Sequence, residues 1–491
     1  MHINNGKTTI GCECISMQQC NSHSHITDSR FFREGYATDE ARKVFCDLRR
    51  MQRWLDVEVA LVQCQAELGI VPATAAQRLT DSARLENFDL EAIQNDISTT
   101  GHSLVPLLRE WQRITGDEAG EYIHFGATTQ DIQDTAQSLE LKEISNIILR
   151  DLASVIVTLG ELTQKHKSLL MIGRTHGQAA LPTTLGLKIS TWLDESLRNF
   201  ERLQRCLKSL LVCQLSGGVG TMDSLSEQSQ TLIENFASKL GLHVPMTSWH
   251  ASRDRGAEFL SVLALLTGGL GRIANEICQL AKNEIGELAE PFHNGQIGSS
   301  TMPHKKNPEL CEQVVVLAKL CKSNAATGLD TLINEHERDY RAVRLEWIAI
   351  TDSALFCSAA LGMMKKILPG LQINQDRIKD NLNKAAILVS TEALMFMLGE
   401  KIGKQSAHKL IYRTSLNCND NISDLLEKLS RTPELDDKFS LQELQQAATP
   451  TVPGQATTII KRLIASIDYE KLGQAQKAII SPCSLAGILC R

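Results

Sequence analysis

The sequence predicts an all-α protein of three parts built around a long central helical bundle. Three observations carry that prediction. Aromatic residues make up only 4% of the chain, while Leu, Ala, Gln, Glu and Lys fill long stretches, a balance that favours helices over sheets. In DRGAEFLSVLALLTGGLGRIANEICQLAKNEIGEL, residues 254–288, Phe259, Leu263, Leu266, Leu270, Ile273, Ile277 and Leu280 keep helical spacing over about six turns. Segments near 130–167, 182–213 and 308–330 carry similarly wide apolar stripes, and helices buried on several sides point to packing between subunits.

Residues 1–30 are polar and irregular and read as a mobile tail. Cys12, Cys14 and Cys20, followed by His23 and His25, are metal-capable types whose spacing fits no standard zinc site. An N-terminal helical unit spans 31–123. Its first helix runs over about 38–68, where Leu48, Met51, Leu55, Val59 and Val62 recur at helical steps before Gly69 and Pro72 stop it. Shorter helices fill the chain to about residue 120. The long-helix bundle occupies 124–369. A C-terminal helical unit covers 370–491, opening after Pro369-Gly370 and ending raggedly after the Thr-Pro and Val-Pro breaks at 449–453.

A net charge of −6 does not suggest a nucleic-acid binder, though local cations could still serve small anions. No run of 18 apolar residues marks a membrane span, and MHINNGKTTIGCECISMQQC lacks a signal-peptide core. Fourteen cysteines without a repeating framework read as buried thiols of a cytoplasmic protein.

Three polar loops beside long helices carry the candidate chemistry. In HFGATTQD, residues 124–131, Gly126 permits close backbone approach, and Thr128, Thr129 and Gln130 offer donors where a helix begins, a place that suits anions. The same residues also suit a plain N-cap. In GRTHGQAALPTT, residues 173–184, His176 follows Arg174 and Thr175, as an acid or base near neutral pH or simply as a satisfied loop residue. GSSTMPHKKNPELCE, residues 298–312, sets Ser299 and Ser300 on a glycine hinge before Lys305, Lys306, Asn307 and Glu312.

Together and in this order, GATTQD, GRTHGQ and GSSTMPHKKNP resemble the signature regions of the fumarase/aspartase superfamily, over a stretch from about Tyr36 to residue 430. The resemblance implies a fumarase/aspartase-like three-domain fold and a homotetramer with each active site assembled from three subunits. It also implies a small dicarboxylate substrate and no metal or organic cofactor. By the same resemblance Ser299 would be the base that removes a proton beside a carboxylate, with Lys305 and Asn307 neutralising the charge that develops. Thr128 and Thr129 would hold the other carboxylate, and Gln130, Thr175 and Arg338 would contact substrate. His176 would protonate the leaving group, and His102, in TTGHSLVP, matches a second histidine of some branches. Ser300 and Glu312 would take supporting roles, Glu312 fitting a solvated first-turn glutamate almost as well, and Lys306 reads as a surface or loop-anchoring charge.

Two branches compete, the adenylosuccinate lyases and the 3-carboxy-cis,cis-muconate cycloisomerases. In HERDYRAVRLEW, residues 336–347, Val343 and Trp347 stand where the phosphate-binding serine and arginine of adenylosuccinate lyases belong, leaving Arg341 and Arg344 as substitutes. The Glu346-Trp347 pair and SWHASRDR, residues 248–255, are similar to the cycloisomerases, with Ala251 and Ser252 departing from their pattern. His102 is more at home in fumarate-releasing lyases. The reading is therefore a lyase that expels an amine or similar group from a substituted succinate to give fumarate, with a cycloisomerase as the alternative and a structural protein as a distant third.

Overall fold

Thr128 is held in an extended conformation (φ −113°, ψ 155°) and releases the chain into the helix Thr129–Lys165, the longest of five that make the bundle. The others are Leu185–Leu210, Asp254–Leu280, Glu309–Asp330 and Tyr340–Ile367. A computed structural model describes residues 25–477 except 226, 294, 417, 419, 420 and 437. Most of the proposed N-terminal tail, with Cys12, Cys14, Cys20 and His23, lies outside the described residues. Residues 25–30 do not match an irregular tail. Ile26–Asp28 form a 3-10 turn, and the His25 ring sits 2.6 Å from the Thr27 hydroxyl and 3.7 Å from Asp352.

The helical content follows expectation, with corrections that have local causes. The expected 38–68 helix is two helices, Asp39–Phe45 and Asp47–Glu67, because Cys46 between them is extended. Arg53 takes up the Val44 carbonyl that the break releases. Leu48, placed on the apolar stripe by its spacing, is 51% exposed, whereas Leu55, Val59 and Val62 are buried. The 254–288 segment stops being helical after Leu280, and Leu288–Ala289 instead pairs antiparallel with Gln372–Ile373. Tyr340–Ile367 is a full bundle helix that periodicity did not reveal. Past Pro453 the chain is not ragged: Gly454–Ala465 and Tyr469–Lys477 pack back on the bundle, with Ile467 and Leu472 in its core.

Each part has its own apolar centre. The bundle core is mainly aliphatic and includes Ile148, Leu193, Leu263, Leu317 and Leu361. A second core joins residues 54–136 to Cys213, Leu215 and the helix Ser229–Leu240. A third lies among the helices of residues 386–448. Asp254–Leu280 and Tyr340–Ile367 are long and apolar enough by composition to cross a membrane, but both are mostly buried against the other bundle helices. Arg49, Arg50 and Arg53 reach Glu140 and Glu143 and tie the N-terminal helices to the longest bundle helix.

Candidate active site

A cleft of about 470 Å³ opens where the N-terminal helices meet the starts of two bundle helices. Five predicted site residues line it: His102, Thr128, Thr129, Gln130 and Arg338. Gly101, Ser103, Tyr340, Arg344 and Trp347 complete the wall. Its charged lining is two guanidinium groups, with no carboxylate.

The 124–131 loop is built to hold its threonines still. Gly126 sits at φ 77°, and a Cβ there would come within 2.7 Å of both the Ser224 carbonyl and Leu225. We predict that Gly126→Ala lowers stability by about 1–3 kcal/mol, the usual cost of overpacking a fitted position. Denaturant midpoints would check it, and an unchanged midpoint would contradict the close approach.

Asp131, fully buried, accepts N–H groups from Thr128, Ser216 and Gly217 at 3.0 Å each and lies 2.9 Å from His250 Nε2. Thr128 is therefore both the N-cap and part of the cleft. Arg338 donates to its hydroxyl at 2.5 Å. Gln130 donates to Asp134 and to the His250 carbonyl, both at 3.1 Å, while its own buried Oε1 has no partner among the described residues. His124 pairs with Glu58 at 2.6 Å; burial opposes its charge, yet the carboxylate outweighs it and raises the imidazole above its ordinary pKa.

His102 follows Gly101, which ends the helix Leu90–Thr100 in the left-handed conformation. Its Nδ1 accepts the backbone N–H groups of Leu104 and Val105 at 3.2 and 3.1 Å, so the neutral ring carries its proton on Nε2. Tyr340 fixes the far wall: its hydroxyl donates to Gln133 at 2.9 Å and lies 3.2 Å from Ser103 Oγ. Beneath the wall, buried Arg253 bridges Asp134, with two bonds of 2.8 and 3.0 Å, to Glu346. The Glu-Trp pair thus divides its work, Glu346 bonding inward and Trp347 facing the cleft. Val343, which sequence placed at the clamp position, is buried in the protein and does not line the cleft. Arg341 is held by Asp339 and Glu335.

The other predicted residues stand apart from this cleft within one chain. GRTHGQ is not a loop but the tip of a hairpin. Strand Leu170–Thr175 pairs with Gln178–Thr184, and His176 and Gly177 form the two-residue turn at φ 52° and 78°. Both positive values match the turn type that suits the twist of a hairpin. Arg174 anchors the hairpin through two bonds of 2.9 and 2.6 Å to buried Glu287, leaving Thr175 and His176 exposed. His124, His176 and His336 are three of the four non-glycine residues with positive φ among those described, so unusual backbone gathers at the polar loops.

The serine loop folds on itself. Asn307 donates to the Gly298 carbonyl at 2.8 Å, and Ser299 Oγ accepts from the Met302 N–H at 3.1 Å and the Thr301 N–H at 3.3 Å. A Cβ on Gly298 would meet the Lys305 carbonyl at 2.2 Å, so that pairing requires glycine. Ser299 is half-buried, whereas Ser300, Lys305 and Glu312 are exposed; Lys306 lies over the Phe292 ring. Buried Glu290 accepts the Leu310 and Cys311 N–H groups at 3.2 and 2.9 Å, a hold on the loop's end that sequence reasoning missed. Among the described residues no three His, Cys, Asp or Glu side chains gather as metal ligands.

The chain is similar to known proteins over most of its length. A lyase family model matches residues 33–321. An N-acetyl-S-(2-succino)cysteine lyase of Enterococcus italicus is 37% identical, over 87% of this chain and 94% of the relative. An adenylosuccinate lyase of Pyrococcus horikoshii is 34% identical, over 88% of this chain and 96% of the relative. The crystal structure of the 3-carboxy-cis,cis-muconate lactonizing enzyme from Pseudomonas putida superposes with a TM-score of 0.83 at 31% identity, covering 91% of this chain and all of that one. With its three signature segments and helical bundle, the chain belongs to the fumarase/aspartase superfamily of lyases.

Proposed function

We propose that the protein eliminates a small thiolate from a 2-substituted succinate, releasing fumarate. The observation that carries this reading is the company His102 keeps: it shares a carboxylate-free cleft with Thr128, Thr129 and Arg338. That is a setting for a dianion, with an imidazole beside it. The Enterococcus relative's name specifies a succinylated cysteine derivative, and a thiolate needs no phosphate clamp.

In the reaction, Ser299 Oγ, as the alkoxide, takes a proton from the carbon next to one succinate carboxylate. The electron pair moves onto that carboxylate, where Lys305 and Asn307 offset the charge, then returns to form the double bond as the carbon–sulfur bond breaks. A histidine, His176 or His102, gives the departing sulfur its proton. Thr128, Thr129, Thr175 and Arg338 hold the second carboxylate; the Gln130 amide hydrogens are spent on Asp134 and the His250 carbonyl, so its side chain stiffens the loop instead of binding substrate. The serine needs nearby cations because its hydroxyl is otherwise far too weak an acid. This reading takes the site to be composite: exposed His176 and half-buried Ser299 of neighbouring subunits complete the cleft in a homotetramer.

The test is a panel of N-acetyl-S-(2-succino)cysteine, adenylosuccinate and 3-carboxy-cis,cis-muconate, with fumarate, thiol and lactone measured. The expected result is a kcat/KM above roughly 10⁴ M⁻¹s⁻¹ for the thioether, within the usual range for a natural substrate. Adenylosuccinate should be far poorer. Lactone formation at that efficiency, with the thioether inert, would favour the cycloisomerase reading that the Glu346-Trp347 pair and the Pseudomonas structure support.

A further inference from the structure

We infer that Arg344 is the specificity-determining residue for the leaving group, binding a carboxylate carried by the expelled thiol. This rests on the elimination reading above. The starting point is the unequal commitment of the two cations in the cleft. Arg338 already donates to Thr128, at the end where the loop N–H groups and threonines suit the succinyl part. Arg344 lines the same cleft one helical turn beyond the Asp339 cap and has no carboxylate partner among the described residues. Arg341, the other arginine of this turn, is occupied by Asp339 and Glu335 and is not part of the cleft.

Arg344 is also positioned rather than loose. Its guanidinium lies 5.3 Å from the centre of the Tyr340 ring. That ring is itself fixed by Gln133 and Ser103, and Trp347 meets it edge-on at 6.2 Å. A guanidinium held over a ring face keeps donors available and gives up less freedom on binding an anion. Its planar fork matches a carboxylate. The aromatic wall beside it suits a short apolar linker between sulfur and that carboxylate. A cysteine-derived thiol acylated on nitrogen has this form: one anion, a short carbon chain and no second cation to be repelled.

The experiment compares two thioethers, S-(2-succino)-N-acetylcysteine and S-(2-succino)-N-acetylcysteamine, which differ by the leaving-group carboxylate. In the unaltered enzyme the carboxylate-bearing thioether should be preferred in kcat/KM by on the order of 10- to 100-fold, the range expected of one charge-assisted contact. In Arg344→Gln that ratio should collapse towards one, and Arg344→Lys should restore part of it. A preference that survives in Arg344→Gln, or is absent from the unaltered enzyme, overturns the assignment of Arg344 alone. No turnover of either thioether overturns the elimination reading and the assignment with it.

Discussion

Ser299→Ala is expected to fold and assemble like the unaltered protein while losing about 10²–10⁴-fold in turnover, the usual cost of removing a general base. Among the described residues the hydroxyl's hydrogen bonds are from Thr301 and Met302, in an exposed loop, so its loss costs little stability. Circular dichroism and mass measurement of the assembly would show the fold, and single-turnover kinetics the chemical step. Mixing this variant with inactive His176→Ala adds a second reading. If sites are shared between subunits, some mixed assemblies hold an intact serine and an intact histidine together, and activity returns. Unaltered turnover in Ser299→Ala would remove the serine from the mechanism.

Arg253→Ala should bring the largest loss of stability, about 3–5 kcal/mol. Asp134 and Glu346 are 1% exposed, and without the guanidinium two carboxylates remain buried with little to offset them. Burial opposes the arginine's charge, but the two acids more than compensate and push its pKa up. Thermal and urea unfolding at fixed protein concentration would measure the loss. A change below about 1 kcal/mol, typical of exposed pairs, would mean that water reaches this cluster.

How far the fold was legible depended on whether a helix shows one face or all of them to its neighbours. Asp254–Leu280 declared itself because its large aliphatic residues fall on stripes. Tyr340–Ile367 did not, because Ala342, Ala349, Ser353, Ala354, Ser358 and Ala360 are buried beside larger residues, which blurs any stripe. The hairpin was hidden for a different reason. His-Gly is an uncommon pair for a two-residue turn, and Pro182 in its second strand reads as a break.

The cleft was legible where short motifs name their residues. Thr128, Thr129, Gln130, Arg338 and His102 do come together. Its far wall was legible in part: Arg344 and Trp347 stood out against the expected clamp, whereas Tyr340 looks like any residue of a helix surface. The Arg253 cluster was equally hidden: its partners stand 119 and 93 residues away, and each acid alone reads as a surface charge. Val343 offers no phosphate clamp, as its apolar side chain implied, and the structure adds that it points into the core.

The short helix Asp39–Phe45 rests on both the longest bundle helix and the Tyr340–Ile367 helix, and Thr38 hydrogen-bonds to Ser358 across 320 residues. A growing chain therefore makes this helix long before the Tyr340–Ile367 surface that completes its cover exists. At about 5–20 residues per second, roughly 15 to 60 s separate the two on the ribosome. For much of that interval Ala41, Val44 and Phe45, buried in the finished protein, have at most the Thr129–Lys165 helix to rest on. The nascent protein thus presents a window in which a holding chaperone has something to grip, and slower translation lengthens it.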